Sequence, residues 1–284
     1  MPARHVRDGS GTFVIILNDT GTGPMTSLVT RNARLAQVRR AGLRVALLDG
    51  FRLTGGADAI PVPGGAERLL AFVAMRHRPV GRLLVAGSLW AESTDGHAYA
   101  ALRSALARTN RVCPDALLVT PSSLELAPGV SVDLRDAQAL AHRLLEAGPH
   151  AAVDLNRQAV AVLSSELLPH WYDDWVVSEA EDWRQLRLHA LEAVVDGLVE
   201  ARRFGDATAA AGVLVRADPL RESAQAALIR VHLAEGNQSE AIRVFDRFSH
   251  LLRSDLGLVP TPGLRDLIGS RAPAAPASPA RPWP

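Results

Sequence analysis

The chain has 284 residues, 48% of them hydrophobic, which is enough for one large core or two of ordinary size, and two are expected. A formal net charge of +1 excludes a polybasic nucleic-acid coat, although a neutral body can still carry a local basic face. All 31 basic residues are arginine, so a Walker A phosphate loop and a lysine Schiff base are both excluded; the single cysteine, Cys113, has no internal disulfide partner and fits a reducing cytoplasm.

Residues 1–43 read as an N-terminal extension with a strand at Phe13 to Leu17 and a turn-rich stretch after it. Gly21-Thr-Gly23 invites a dinucleotide-binding reading, but Thr26 stands in place of the third glycine, and an extension or edge strand is the plainer reading. The longest apolar runs are far shorter than the roughly 20 residues that cross a bilayer. Five apolar residues after Met1 to Ser10 do not make a signal peptide, so a cytoplasmic protein without membrane contact is expected.

Residues 44–132 change texture. Short strands are expected at Val45 to Leu48, Phe51 to Leu53 and Ile60 to Pro63, with Gly64-Gly65 ending the sheet. A first helix at Glu67 to Met75 turns Leu69, Leu70, Phe72 and Val73 inward, and Arg76 to Pro79 breaks it. A second helix spans Val80 to Trp90 with Leu83, Leu84 and Leu89 inward and Trp90 anchoring the turn. Thr94 or Asp95 caps a third helix, on which Ala98, Ala101, Leu102, Ala105 and Leu106 form one buried stripe. Its opposite face is Ala100, Arg103, Ser104, Ala107, Arg108 and Arg111, without a carboxylate. Ala116 to Thr120 and Leu124 to Ala127 flank Pro121-Ser122-Ser123 as a hairpin. Sheet, three helices and hairpin together make an α+β winged helix-turn-helix.

An arginine and hydroxyl face with tiny neighbours can enter a major groove about 12 Å wide, which makes the third helix the candidate DNA-reading element. Arg103 and Arg108 lead, with Ala100, Ser104 and Arg111 beside them; the plainer reading is a solvated face. The segment carries nine arginines against seven carboxylates, so phosphate affinity must come from placement, and Arg82, with Arg76 and Arg78, is placed for it.

Residues 133–270 read as all helical, with helices at Asp136 to Ala147, Asp154 to Ser165, Glu179 to Glu200, Ala207 to Ala217, Arg221 to Glu235, Gln238 to Asp255 and Gly263 to Ile268. Gly205 with Ala210 and Gly236 with Ala241 repeat one spacing, as in tetratricopeptide-like pairs, where Gly stops one helix and the small Ala admits its neighbour. Three of the five tryptophans, Trp171, Trp175 and Trp183, cluster between Leu167 and Leu191, where helices must be locked together. Asp173 and Asp174 suit a helix start better than acid/base or metal chemistry. The nine histidines show no His-Glu-x-x-His pattern, and no catalytic centre, metal or cofactor is expected. Residues 271–284 read as a disordered Pro/Ala-rich tail.

Leu168-Pro-His-Trp-Tyr-Asp-Asp-Trp175, Asp218-Pro-Leu-Arg-Glu-Ser223 and His232-Leu-Ala-Glu-Gly-Asn237 resemble, in order and spacing, the bacterial transcriptional activator domain (BTAD) of SARP-type antibiotic regulatory proteins. Glu67-Arg-Leu-Leu-Ala-Phe72 and Leu102-Arg-Ser-Ala-Leu106 resemble the DNA-binding half of the same family. The resemblance implies a sequence-specific transcriptional regulator, an activator that binds promoter repeats through the winged helix and helps recruit RNA polymerase, with double-stranded DNA and RNA polymerase as partners and a homodimer as one arrangement. Family members often continue the third helix with more basic residues, where Thr109-Asn110 intervene here. The competing reading is a tetratricopeptide-like protein-interaction adaptor whose winged helix has degenerated.

Overall fold

The computed structural model describes residues 42–146 and 153–269; the expected strand at Phe13 to Leu17, the Gly21 stretch and the tail after 270 lie outside them. Strand β1 (Leu43–Ala46) pairs antiparallel with β2 (Arg52–Gly55), which pairs with β3 (Asp58–Ala59). A strand not anticipated, β7 (Ser131–Val132), returns along the other side of β1 in parallel register, giving the order β3-β2-β1-β7. Alternation along β1 buries Leu43 and Val45 and leaves Arg44 in solvent, as one-sided burial of a strand requires.

Ile60 to Pro63 is not a strand. The strand ends at Ala59: the Ile60 amide makes one last bond, to the Leu53 carbonyl at 2.8 Å, and Pro61 and Pro63 have no amide to continue a ladder. Gly64-Gly65 begin helix α1 (Gly64–Ala74) behind Pro63 instead of ending the sheet. Val80, expected in the second helix, belongs to β4 (Val80–Gly81), which joins β6 (Ser123–Leu126) and β5 (Leu117–Val119) in a second sheet of order β4-β6-β5. Its pairing Val80↔Leu124 and Gly81↔Ser123 sets where α2 (Arg82–Leu89) starts. On that short helix the inward positions are Val85, Ala86 and Leu89, which turns Leu83 and Leu84 outward at 64% and 59% exposure, against the expectation that both were core.

Helix α3 (Asp95–Val112) follows, and neither Thr94 nor Asp95 forms the expected side-chain cap. The helical half comprises α4 (Asp133–Glu146), α5 (Arg157–Ser164), α6 (Asp174–Glu200), α7 (Phe204–Ala217), α8 (Glu222–Glu235), α9 (Gln238–Leu256) and α10 (Pro262–Gly269). Asn156 caps α5, its side-chain oxygen accepting from the Ala159 amide at 2.9 Å. Helix α6 begins at Asp174, earlier than the expected Glu179, because Trp175, Val176 and Ala180 continue its packed side. Gly236 ends α8 in the left-handed conformation as read from the sequence. Gly205 does not end α6: it lies in the first turn of α7, and Arg202, at φ 56°, takes the left-handed position. Ala210 and Ala241 are fully buried at the helix contacts their spacing implied.

One core runs from β1 and β2 through α4 and α6 to α8, and includes Val45, Leu53, Leu134, Trp183 and Leu191. A second lies under α3, with Leu69, Phe72, Val85, Leu89, Leu102 and Leu124. A third joins α8 and α9 through Ile229 and Phe248. Asp133, the first residue of α4, accepts backbone amides from Leu47 at 2.8 Å and Leu48 at 3.2 Å, so the helical half is bonded into the sheet at its first residue. Burial pushes the Asp133 carboxyl up, while those amides, the Leu134 amide and Arg44 draw it down.

Candidate nucleic-acid interface

Helix α3 has one buried and one open side. Ala98, Leu102, Ala105 and Thr109 are buried against α1 and α2, with Ala101 and Leu106 half-buried at the margins; Thr109 satisfies its hydroxyl on the Ala105 carbonyl at 3.0 Å. The expected stripe is therefore present and extends one turn to Thr109. At 100° per residue, Arg103, Ser104, Ala107, Arg108 and Arg111 fall on the other side, and all five are exposed, with Ala100 half-buried at the edge. The helix's one carboxylate is Asp95, in its first turn. Arg103 and Arg108 make no ion pair among the described residues. The Arg108 guanidinium lies against the start of α1, where a Cβ on Gly65 would stand 3.3 Å from its Nη1, so a glycine there leaves the arginine its room.

The flanking arginines divide. Arg82 is half-buried at the start of α2; its amide donates to Ser122 at 3.0 Å and its Nη1 reaches the Thr120 carbonyl at 3.4 Å, which ties the helix start to the hairpin turn. Arg78 is exposed. Arg76 is not available to a phosphate: it pairs with Glu179 of α6 and its guanidinium lies 4.8 Å from the Phe72 ring centroid.

Arg76 belongs to a junction that the tryptophan cluster builds. Trp171 stacks on Phe51 at 6.5 Å, Trp175 meets Trp171 edge-on at 6.1 Å, and Phe72 meets Trp175 edge-on at 5.2 Å, a chain of rings from the turn just before β2 to α1. Each such pair is worth about 0.5–1.5 kcal/mol beyond burial. Arg68 pairs with Asp173, and Arg135 donates to the Arg76 carbonyl. Backbone bonds Asp49 to Glu166 (2.7 Å) and Leu168 to Leu47 (2.9 Å) complete the seam, where Asp49, Leu168 and His170 hold positive φ. Trp183 is fully buried and donates its indole N–H to the Ser165 carbonyl at 3.0 Å. Asp173 and Asp174 thus serve an ion pair and a helix start, and no group of His, Cys, Asp and Glu among the described residues is arranged to hold a metal. No helix among them is long and apolar enough to cross a membrane.

The model of the bacterial transcriptional activator domain matches residues 132–270. Regulatory protein AfsR of Streptomyces coelicolor is 29% identical over 86% of this chain and 26% of AfsR. Transcriptional regulatory protein EmbR of Mycobacterium tuberculosis is 27% identical over 74% of this chain and 58% of EmbR. The solved structure of Mycobacterium tuberculosis EmbR in complex with a low-affinity phosphopeptide superposes with a TM-score of 0.64 at 24% identity, over 80% of this chain and 64% of that one, and so shares the fold. The chain spans about a quarter of the length of AfsR and somewhat over half that of EmbR. Residues 132–270 thus match the bacterial transcriptional activator domain, and the chain is similar to regulators of the SARP type.

Proposed function

We propose that residues 44–132 are a winged helix-turn-helix and that the protein is a sequence-specific, DNA-binding transcriptional activator. In this reading α3 is the recognition helix and enters the major groove. Arg103 and Arg108 reach base edges, Ser104 and Ala100 permit close approach, and Arg111 and Arg82 hold phosphates from either side, the hairpin β5-β6 acting as the wing. The observation that carries it is the open face of α3: arginine, serine and alanine on one side of an 18-residue helix whose other side is sealed into a core. AfsR and EmbR, both named as regulatory proteins, support the same assignment. Contact with RNA polymerase, or self-association, falls in this reading to the helical half, residues 133–270; the exposed Leu83 and Leu84, next to the hairpin turn through the Arg82–Ser122 bond, add an apolar surface suited to a protein contact.

The test is binding to promoter DNA by gel shift at fixed salt, against upstream regions of the genes around its own. Arg103→Ala with Arg108→Ala removes two base-reading arginines at about 1–3 kcal/mol each, so affinity falls at least about tenfold, while the unfolding free energy stays within about 0.5 kcal/mol. Specific binding that survives both substitutions sinks the assignment of α3. A chain that binds no upstream DNA but retains a protein partner is the adaptor.

A further inference from the structure

Arg157, Arg202, Arg203 and Arg216 line an open groove of about 880 Å³ between α5, the end of α6 and the outer side of α7, with Asp206 as the one acid among its lining residues. Asp206 is already engaged, 2.7 Å from Arg203 and 3.6 Å from Arg157, and the Arg203 hydrogen bond holds its carboxyl below the usual range. Arg203 also donates to the Leu155 carbonyl at 2.7 Å. The guanidinium groups of Arg202 and Arg216, both exposed residues, have no hydrogen-bonded or ionic partner among the described residues. Like charges gathered around one satisfied carboxylate repel each other, and folding alone gives no reason to gather them.

Arg202 adds a second sign of purpose. It occupies the left-handed position that follows α6, at φ 56°, where glycine would fit without strain. Across the groove the Arg216 guanidinium folds back over α7, and a Cβ on Gly212 would stand 3.3 Å from its Nη1. Between the two arginines the floor is apolar, with Val160, Leu198, Phe204 and Val213. A phosphate backbone has nothing to bury there, whereas a peptide that mixes carboxylates with apolar side chains matches rim and floor together.

We propose that this groove docks an acidic, partly apolar peptide segment of another protein, with carboxylates on Arg202 and Arg216 and apolar side chains on the floor. The chain's own ends are the wrong charge for it: residues 1–41 hold Asp8 and Asp19 against six arginines, and residues 270–284 hold no acid. The proposal stands apart from DNA reading by α3 and fails or holds independently of it.

The full chain is titrated by fluorescence anisotropy with a fluorescein-labelled peptide of alternating glutamate and leucine, and with its glutamine counterpart. Saturable one-to-one binding is expected, weakening as salt rises, and at least about tenfold weaker both for the glutamine peptide and for Arg202→Gly with Arg216→Gln. Arg202→Gly relieves the left-handed strain, so the melting temperature of the variant holds or rises, and lost binding cannot be blamed on lost folding. Arg103→Ala with Arg108→Ala leaves peptide affinity unchanged. The proposal is overturned if the groove variant binds as tightly as the parent or if the α3 variant loses the peptide. It is equally overturned if inorganic phosphate saturates the groove while the peptide adds nothing, or if sedimentation shows self-association that depends on Arg202 and Arg216, which would make the occupant a second copy.

Discussion

Arginine is used in opposite ways at the junction and on α3. At the junction Arg68, Arg76 and Arg135 are bound to Asp173, Glu179 and the Arg76 carbonyl, and Arg187, 3% exposed, points its guanidinium at the Leu163 and Ser164 carbonyls. On α3 Arg103 and Arg108 extend from a helix whose packing is complete without them. A guanidinium that is bound contributes to the geometry of the fold; one left in solvent contributes nothing to it and remains open to a partner. Substitution should therefore separate the two sets, junction changes appearing in stability and α3 changes in binding.

The largest effect is expected at the tryptophan that anchors the junction's helix. Trp183→Ala removes a fully buried ring and the bond from its indole to Ser165, and should cost about 3–5 kcal/mol in urea unfolding. A cost under about 1 kcal/mol would mean that α6 is not held by this core. Next in size is the paired substitution Arg68→Ala with Arg76→Ala. Both ion pairs are partly exposed and worth about 1 kcal/mol each, with about 0.5–1 kcal/mol more from Arg76 over Phe72. DNA affinity should stay within about threefold, since these sites are separate from the open face of α3. If this pair weakens DNA binding as much as the α3 pair does, the contrast between bound and open arginines fails.

Some of this was readable in the residues and some was not. The period of Ala98, Leu102 and Ala105 phases α3 without ambiguity, because an 18-residue helix averages over any local exception. The eight-residue α2 offers no such average: its start is set by a two-residue strand pairing across to β6, a long-range contact with no local signal, and Leu83 and Leu84 consequently read as core when they are surface. β7 was missed for the same reason, two residues long and paired in parallel with a strand at the far end of its domain. The tryptophan run was recognisable as a lock, but its partners Phe51 and Phe72 lie over a hundred residues earlier, so which surfaces it joins could be seen only in three dimensions. The groove around Arg202 had a faint signal, a pair of arginines where a helix stop calls for glycine.

The smallest expected effect bears on whether the junction ever opens. Cys113 caps α3 and is buried in the core that continues into the helical half, so its thiol reports on both regions at once. Burial, with the Asp115 carboxylate second, pushes the thiol up to about 11 from an ordinary value of 9.0. At pH 8 that leaves roughly 100-fold less thiolate in the folded chain than in the unfolded one, before any steric protection. The sign follows: between those two values the unfolded thiol ionises and the folded one does not, so this group's contribution to stability falls as pH rises above about 9. Iodoacetamide labelling followed by mass spectrometry should find Cys113 at least about 100-fold slower in the native protein than in urea at pH 8. Faster labelling in Arg68→Ala with Arg76→Ala, with the α3 variant unchanged, would locate the opening at the junction, because those two arginines pair across the seam and Arg103 and Arg108 do not. Equal acceleration in both variants would mean that α3 and the junction move as one body, and that an open face and a locked seam are not separable properties of this chain.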